Sequence, residues 1–135
     1  MKEMKYLLII ILALIALNLD GQNVYQRNLY DVNNRVKKME NRLRYSLLSN
    51  ELLDEKLELV KFINRLSEES QRAGIKQEIN MELGSLISQT CELAKMKLDL
   101  LESYAWYSKD SHYLIAFNDI NKIYLAHLLK VKTKE

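Results

Sequence analysis

The side chains in this sequence that could do nucleophilic or metal chemistry are one cysteine and two histidines. A catalytic Cys needs a His base and a group that orients that base, and a lone Cys excludes both a disulfide framework and a Cys-based zinc site. Cys91, His112 and His127 lie in no local catalytic or metal-binding motif. We therefore predict no catalytic residue, no metal ligand and no cofactor. We expect Cys91 to be a buried free thiol or to form an intermolecular disulfide.

Two pairs of carboxylates, Asp54/Glu58 and Glu78/Glu82, have the four-residue spacing that places both acids on one helix face. Di-metal bundles combine such acids with Glu-x-x-His segments on facing helices, and the chain contains no Glu-x-x-His. It also contains no glycine-rich phosphate loop, nucleophile elbow or zinc-protease motif. The acids are predicted to form solvated faces, and the protein is predicted not to be an enzyme.

An aromatic cluster is the best candidate for contact with another molecule. Tyr104, Trp106 and Tyr107 are close in the sequence, and consecutive helical residues point in different directions, so the three side chains cannot all face one core. Trp and Tyr are enriched at protein interfaces because they bury a large area and keep a polar group. The cluster is predicted either to cap one end of the fold or to contact a protein partner or ligand.

The charge of the chain gives no sign of a nucleic-acid partner. Twenty Lys and Arg oppose 18 Asp and Glu, a net charge of +2, which is too small to argue for nucleic acid. Residues 35–44 are locally basic and contain no aromatic side chain that could stack on bases. We interpret this stretch as a solvated helix face.

The N-terminus has the pattern of an export signal. Two lysines in residues 1–5 precede an uncharged stretch at 6–19, whose segment 7–17 is wholly apolar. Cleavage after Gly21 would give a signal peptide at 1–21 and a single helical domain at 22–135. The alternative is a short membrane anchor, although 14 helical residues span only about 21 Å of a hydrocarbon core of about 30 Å. Both readings place the body outside the cytoplasm, either periplasmic or secreted, or tethered to the membrane.

The elements that carry these residues are predicted to be helices. The chain has no Pro and three Gly, and apolar residues recur at helical spacing, which predicts helices near 24–48, 50–72, 75–106 and 112–131. Ser49-Asn50 either breaks the chain with an N-cap or lies inside one helix from 24 to 72. Gly74 is predicted to be the left-handed residue that ends a helix, and Gly84 to admit a close neighbour. The fold class is all-α, an antiparallel three- to four-helix bundle or a long helical hairpin.

These features predict a non-enzymatic, exported helical interaction protein of the cell envelope, such as an accessory subunit of a larger assembly. One alternative is a membrane-tethered coiled-coil stalk, which shares its general layout with lysis spanin subunits and division-type leucine-zipper proteins. Another is a bundle that binds a small ligand or lipid between its helices. A protein partner is expected, membrane contact is possible through residues 4–19, and homo-oligomers are compatible with the pattern.

Overall fold

The structure, a computed structural model, describes residues 24–43, 49–106 and 111–133, without the side chains of 104–106 and 111. These residues form four α-helices and no strand: α1 (24–43), α2 (Asn50–Ile75), α3 (Met81–Trp106) and α4 (Ser111–Thr133). The predicted all-α class is confirmed, and the helices pack against one another as a bundle. The export or anchor segment at 1–21 lies outside the described residues.

Ser49 separates α1 from α2. Its backbone is extended (φ −117°, ψ 159°), and the amide of Leu52 donates a hydrogen bond of 3.1 Å to its hydroxyl oxygen. The amide of Leu53 donates to the Ser49 carbonyl at 3.1 Å, which starts the helical pattern. This arrangement is an N-cap, which satisfies a backbone donor that the first helical turn leaves without a partner. A single helix from 24 to 72 is therefore not formed.

The end of α2 differs from the prediction. Gly74 lies inside the last turn, and the left-handed residue is Gln77, with φ 60°. The amide of Glu78 donates to the Ala73 carbonyl at 2.9 Å, and that of Gln77 donates to the Gly74 carbonyl at 3.2 Å. This pair of bonds is a Schellman motif, a common C-terminal cap. The third helix was wrongly predicted to start near Ile75, which belongs to α2; α3 starts at Met81, after Asn80 accepts a hydrogen bond of 2.8 Å from the Glu82 amide.

Gly74 and Gly84 allow α2 and α3 to approach closely. A Cβ atom on Gly84 would lie 2.6 Å from the carbonyl oxygen of Ser70, closer than side chains tolerate, and 3.2 Å from the Cα atom of Gly74. A Cβ on Gly74 would meet its nearest neighbour, the Cα of Met81, at 3.4 Å. The close packing predicted for Gly84 is confirmed. The prediction that Gly74 is the left-handed residue at the helix end was therefore wrong, and Gly74 lies instead at the same α2–α3 contact as Gly84.

Side-chain pairs show that neighbouring helices run antiparallel. Gln26 near the start of α1 contacts Val131 near the end of α4, whereas Asn33, further along α1, contacts Tyr124. The α2–α3 pairs, which include Lys56 with Asp99 and Asn64 with Lys95, also run in opposite directions. The core consists mainly of the predicted stripes. Its fully or nearly fully buried members include Leu29, Val32, Val36, Leu52, Ile63, Leu66, Leu83, Ile87, Leu98, Leu101, Phe117 and Tyr124.

The surface has two further features. Leu57 on α2 points outward and is 54% exposed. Within the described part of the chain, no helix combines the length and the apolar character needed to cross a bilayer.

Candidate functional site

A buried ion pair links α1 to α3 at the centre of the bundle. The ammonium of Lys97 lies 3.0 Å from a carboxylate oxygen of Glu40, and the two side chains are 4% and 19% exposed. The same ammonium lies 5.6 Å from the ring centre of Phe117 and 5.3 Å from that of Tyr124, both on α4. Removing a charge from water is costly unless it is paired, and here a carboxylate and two aromatic rings surround it. Lys97 therefore connects three helices.

Polar contacts continue along the α1–α4 contact. The Tyr124 hydroxyl donates a hydrogen bond of 3.0 Å to the side-chain oxygen of Asn33. Burial raises the pKa of the Tyr124 phenol, with smaller contributions from Cys91 and Glu40. The side-chain nitrogen of Gln26 donates to the Val131 carbonyl at 3.3 Å. Buried polar groups of this kind fix how two helices align, because a shift along the axis would leave them without partners.

Cys91 is a buried free thiol with no sign of activation. It is fully buried in the core. Burial raises the pKa of its thiol to about 12, with the neighbouring Glu92 adding to the shift. Reactive cysteines have lowered pKa values and are accessible, so the described geometry gives Cys91 a packing role.

A second lysine is tied to acids across α2 and α3. The ammonium of Lys56 donates to Asp99 at 2.8 Å and also contacts Glu102. Burial alone would lower the pKa of Lys56, but the hydrogen bonds to Asp99 and Glu102 outweigh this effect and raise it. Nearby, the Lys95 ammonium donates to the Asn64 side chain at 2.6 Å. These contacts hold α2 against α3, so we assign both lysines a structural role.

A groove lies between α1 and α2, and we call it the α1–α2 groove. It has a volume of about 600 Å³ and is open to solvent. Its floor is apolar and its two walls carry opposite charges. The floor contains Met39, Leu59 and Phe62, the α1 wall contains Arg35, Lys38 and Arg42, and the α2 side contains Glu51, Asp54, Glu55, Glu58 and Arg65.

Arginines flank the aromatic ring in this groove. The guanidinium carbon of Arg35 lies 4.9 Å from the ring centre of Phe62, and that of Arg65 lies 6.0 Å from it. Arg35 also pairs with Asp31 at 3.2 Å, and Arg42 pairs with Glu55 across the groove. Stacked arginines around an aromatic floor, with charges at the edge, are the composition that protein interfaces favour.

A different exposed surface lies on α4. We call it the outer face of α4, and its members are large apolar side chains that are 40–62% exposed: Leu114, Ile115, Ile123, Leu125 and Leu129. A shallow groove of about 460 Å³ between α4 and α1 adjoins it and includes Tyr30, Asn33 and Leu128. Because the opposite side of α4 packs in the core, this helix is apolar on two sides, which is typical of a helix that is covered on both.

The structure separates most of the residues that the sequence suggested. His112 is exposed at the start of α4, and the His127 ring contacts the Ile123 carbonyl within its own helix at 2.9 Å. The carboxylate pairs are on exposed parts of α2 and around the α2–α3 turn. The side chains of Tyr104 and Trp106, and the whole of Tyr107, lie outside the described residues. No group of three or more His, Cys, Asp or Glu able to hold a metal was found among the described residues.

Sequence reasoning missed the buried lysine and both surfaces. Lys97 lies three residues after Ala94 and seven after Thr90, both fully buried. This spacing on the core stripe of α3 was the available signal.

No family model matches the chain, and neither a curated protein nor a solved structure does.

Proposed function

We propose that this chain is a non-enzymatic interaction protein of the cell envelope, exported by its N-terminal segment and acting as an accessory subunit through protein contact. The observation that carries the proposal is the α1–α2 groove. It combines an apolar floor at Phe62 with stacked Arg35 and Arg65 and with charged walls, and energetic hot spots of interfaces are enriched in arginine and aromatic residues.

The charges of the groove determine which contacts a partner can make. Lys38 is exposed on the α1 wall, whereas Glu51 and Asp54 lie on the α2 side. A partner segment that is apolar in its centre and carries one acidic and one basic edge would complement the floor and both walls. Rim charges mainly set the association rate and orientation, and a buried aromatic anchor sets the dissociation rate.

The experiment is cross-linking in native cells followed by recovery of the tagged full-length chain. Lys38→Glu should reduce partner recovery, because it replaces one of the three positive charges of the α1 wall by a negative one. The matched control is Lys37→Glu, which makes the same charge reversal at an exposed position of α1 that does not line the groove. Equal recovery from both variants would contradict contact through this groove.

The aromatic trio Tyr104, Trp106 and Tyr107 remains a second proposed contact. Trp106 is the last residue of α3, and Trp and Tyr are enriched at protein interfaces because they bury a large area and keep a polar group. Trp106→Ala should reduce partner recovery while the helical circular dichroism signal is unchanged. Unchanged recovery would leave the cluster as packing.

The extracytoplasmic address is a proposal that rests on the basic, then apolar, pattern of residues 1–21. N-terminal sequencing of protein from fractionated native cells tests it. A mature start at Gln22 supports a cleaved signal, and an intact Met1 in the membrane fraction supports the anchored alternative. An intact Met1 in the cytoplasmic soluble fraction would contradict export. The cap at Ser49 favours a bundle over a continuous stalk from 24 to 72.

A further inference from the structure

The outer face of α4 consists of large apolar side chains that neighbouring helices leave exposed. Leu125 and Leu129 are 46% and 62% exposed, and Leu114 and Ile115 at the other end are 40% and 61% exposed. At 100° per residue these side chains spread over about half of the helix circumference. A partner helix covers a narrower stripe than this, as in the a/d positions of a coiled coil. A flat and deformable apolar surface can cover all of the side chains on this half of the helix.

Positive charges are interleaved with these apolar residues. Lys122, Lys130 and Lys132 are exposed on α4, and Asp119 is its one acidic residue. Over their helical ranges α1 and α4 carry eight Lys and Arg against three Asp and Glu, whereas α2 and α3 carry six against ten. The charge therefore differs in sign between the two sides of the bundle. A second copy docking its own α4 on this face would bring lysines together, which is unfavourable.

We propose that the outer face of α4 docks on the surface of an anionic phospholipid bilayer. Leucine and isoleucine side chains enter the interface between headgroups and acyl chains, and the lysines extend toward lipid phosphates, as long cationic side chains do at membrane surfaces. The charge on α4 is complementary to such a surface, and the acidic α2–α3 side faces away from it. The bundle contacts the bilayer surface without crossing it.

The path of the chain supports this orientation. The hydrogen bond from Gln26 to Val131 places the beginning of α1 beside the end of α4. Six residues, 18–23, separate the apolar run 7–17 from α1, and six residues reach at most about 20 Å. In the anchored alternative, a bilayer that holds this run therefore lies within reach of Leu129, Lys130 and Lys132. The α1–α2 groove is on the other side of α1 and stays accessible to a protein.

The experiment uses the full chain with an environment-sensitive fluorophore on Leu129→Cys. Leu57→Cys on α2 is the matched control, because Leu57 is also an exposed leucine, at 54% against 62%. Cys91 is buried, so unaltered protein should take up no label. Vesicles of phosphatidylcholine alone, and of phosphatidylcholine with phosphatidylglycerol, are added. We expect the emission of the label at position 129 to shift to shorter wavelength on the anionic vesicles only, and the label at position 57 to report water on both.

Three results would overturn the proposal. One is unshifted emission from the label at position 129 on anionic vesicles, and another is an equal shift of the emission from the label at position 57. The third is a shift at position 129 without vesicles that grows with protein concentration, which would assign this face to a second copy. Replacing Lys122, Lys130 and Lys132 by Gln should weaken the docking roughly a hundredfold, at about fivefold for each lysine, and so remove the shift. A failed lipid test leaves the Lys38→Glu recovery result unaffected.

Discussion

The ammonium nitrogen of Lys97 on α3 lies 3.0 Å from a carboxylate oxygen of Glu40 on α1, and Lys97 is nearly inaccessible to water. Rings of Phe117 and Tyr124 on α4 lie near the same ammonium. This contact joins three of the four described helices at one point. A buried ion pair seldom adds net stability over an apolar pair, but removing one partner leaves the other without compensation.

Lys97→Met should destabilise the bundle, because the largely buried Glu40 would lose its ion pair with Lys97. Breaking a fully buried pair costs about 3–5 kcal/mol, and partial exposure of Glu40 should reduce this to about 2 kcal/mol. Urea unfolding followed by circular dichroism measures the change. The double variant Lys97→Met/Glu40→Leu should lose less stability than Lys97→Met alone.

The exposed pair Lys61–Glu58 gives the control, since Lys61→Met should change stability by less than about 0.5 kcal/mol. Equal effects at Lys97 and Lys61 would contradict a buried role.

Gly84→Ala and Gly74→Ala should have opposite signs. Alanine is favoured over glycine in a helix by about 1 kcal/mol, but a Cβ on Gly84 would lie 2.6 Å from the Ser70 carbonyl oxygen. Such overpacking costs about 1–3 kcal/mol, so Gly84→Ala should be destabilising. At Gly74 the nearest atom is 3.4 Å away, and Ala should be neutral or stabilising. Midpoints of urea unfolding compare the two; a stabilising Gly84→Ala would mean that α2 and α3 are further apart.

Gln77→Gly should stabilise the protein. Gln77 has φ 60°, and a left-handed backbone costs a residue with a side chain about 1–2 kcal/mol. Glycine removes that strain, but it also makes the unfolded chain more flexible, which lowers the free energy of unfolding by up to about 1 kcal/mol. The expected net effect is a stabilisation of about 0.5–1 kcal/mol. Gln77→Ala keeps the strain and should give no such gain. Thermal unfolding distinguishes these variants, and a lower melting temperature for Gln77→Gly would argue against the Schellman cap.

Cys91 should be unreactive in the folded protein. Its thiol is buried and its pKa is raised to about 12, so only about one part in a thousand is thiolate at pH 9. A thiol reagent should modify it after unfolding in urea and not before. The raised pKa also makes stability pH-dependent, because the unfolded chain loses the thiol proton more easily. Its contribution is fully present below about pH 9 and is lost as the pH rises toward 12. Cys91→Ala should show a smaller alkaline loss, whereas rapid labelling of the folded chain would contradict burial.

Helical periodicity was sufficient to predict the core, and it could not predict pairings between distant residues. The stripes that contain Leu29, Val36, Ile63 and Leu98 are buried as their spacing indicates. Gly74 was wrongly predicted to end the helix because glycine suits both a helix end and a close helix contact. Its neighbour at the contact, Gly84, is on another helix, so the sequence alone could not distinguish the two roles. For the same reason the partner of Lys97 was not visible, since Glu40 is distant in sequence.

The surfaces were harder to foresee than the core. Phe62 lies three residues after Leu59 and four before Leu66, and it packs against the core as this spacing indicates. The contact of its ring with Arg35 on α1 could not be predicted from the sequence.

On α4 the spacing of Phe117, Tyr124, Leu128 and Val131 predicts the core stripe, and Leu128 does pack against the core. The spacing does not say whether the leucines outside this stripe are covered. The three-dimensional arrangement assigns the side chains of Leu125 and Leu129 to the exposed surface.

Site-specific photo-cross-linking in native cells tests the proposed interaction function most directly. A photoreactive phenylalanine analogue placed at Lys38, on the α1–α2 groove, should give one adduct of defined mass that contains a second protein, because a bound partner would lie against that wall. The same analogue at Gln71, exposed and outside the groove, should give none. Absence of an adduct at position 38, or the same adducts at both positions, would contradict the account.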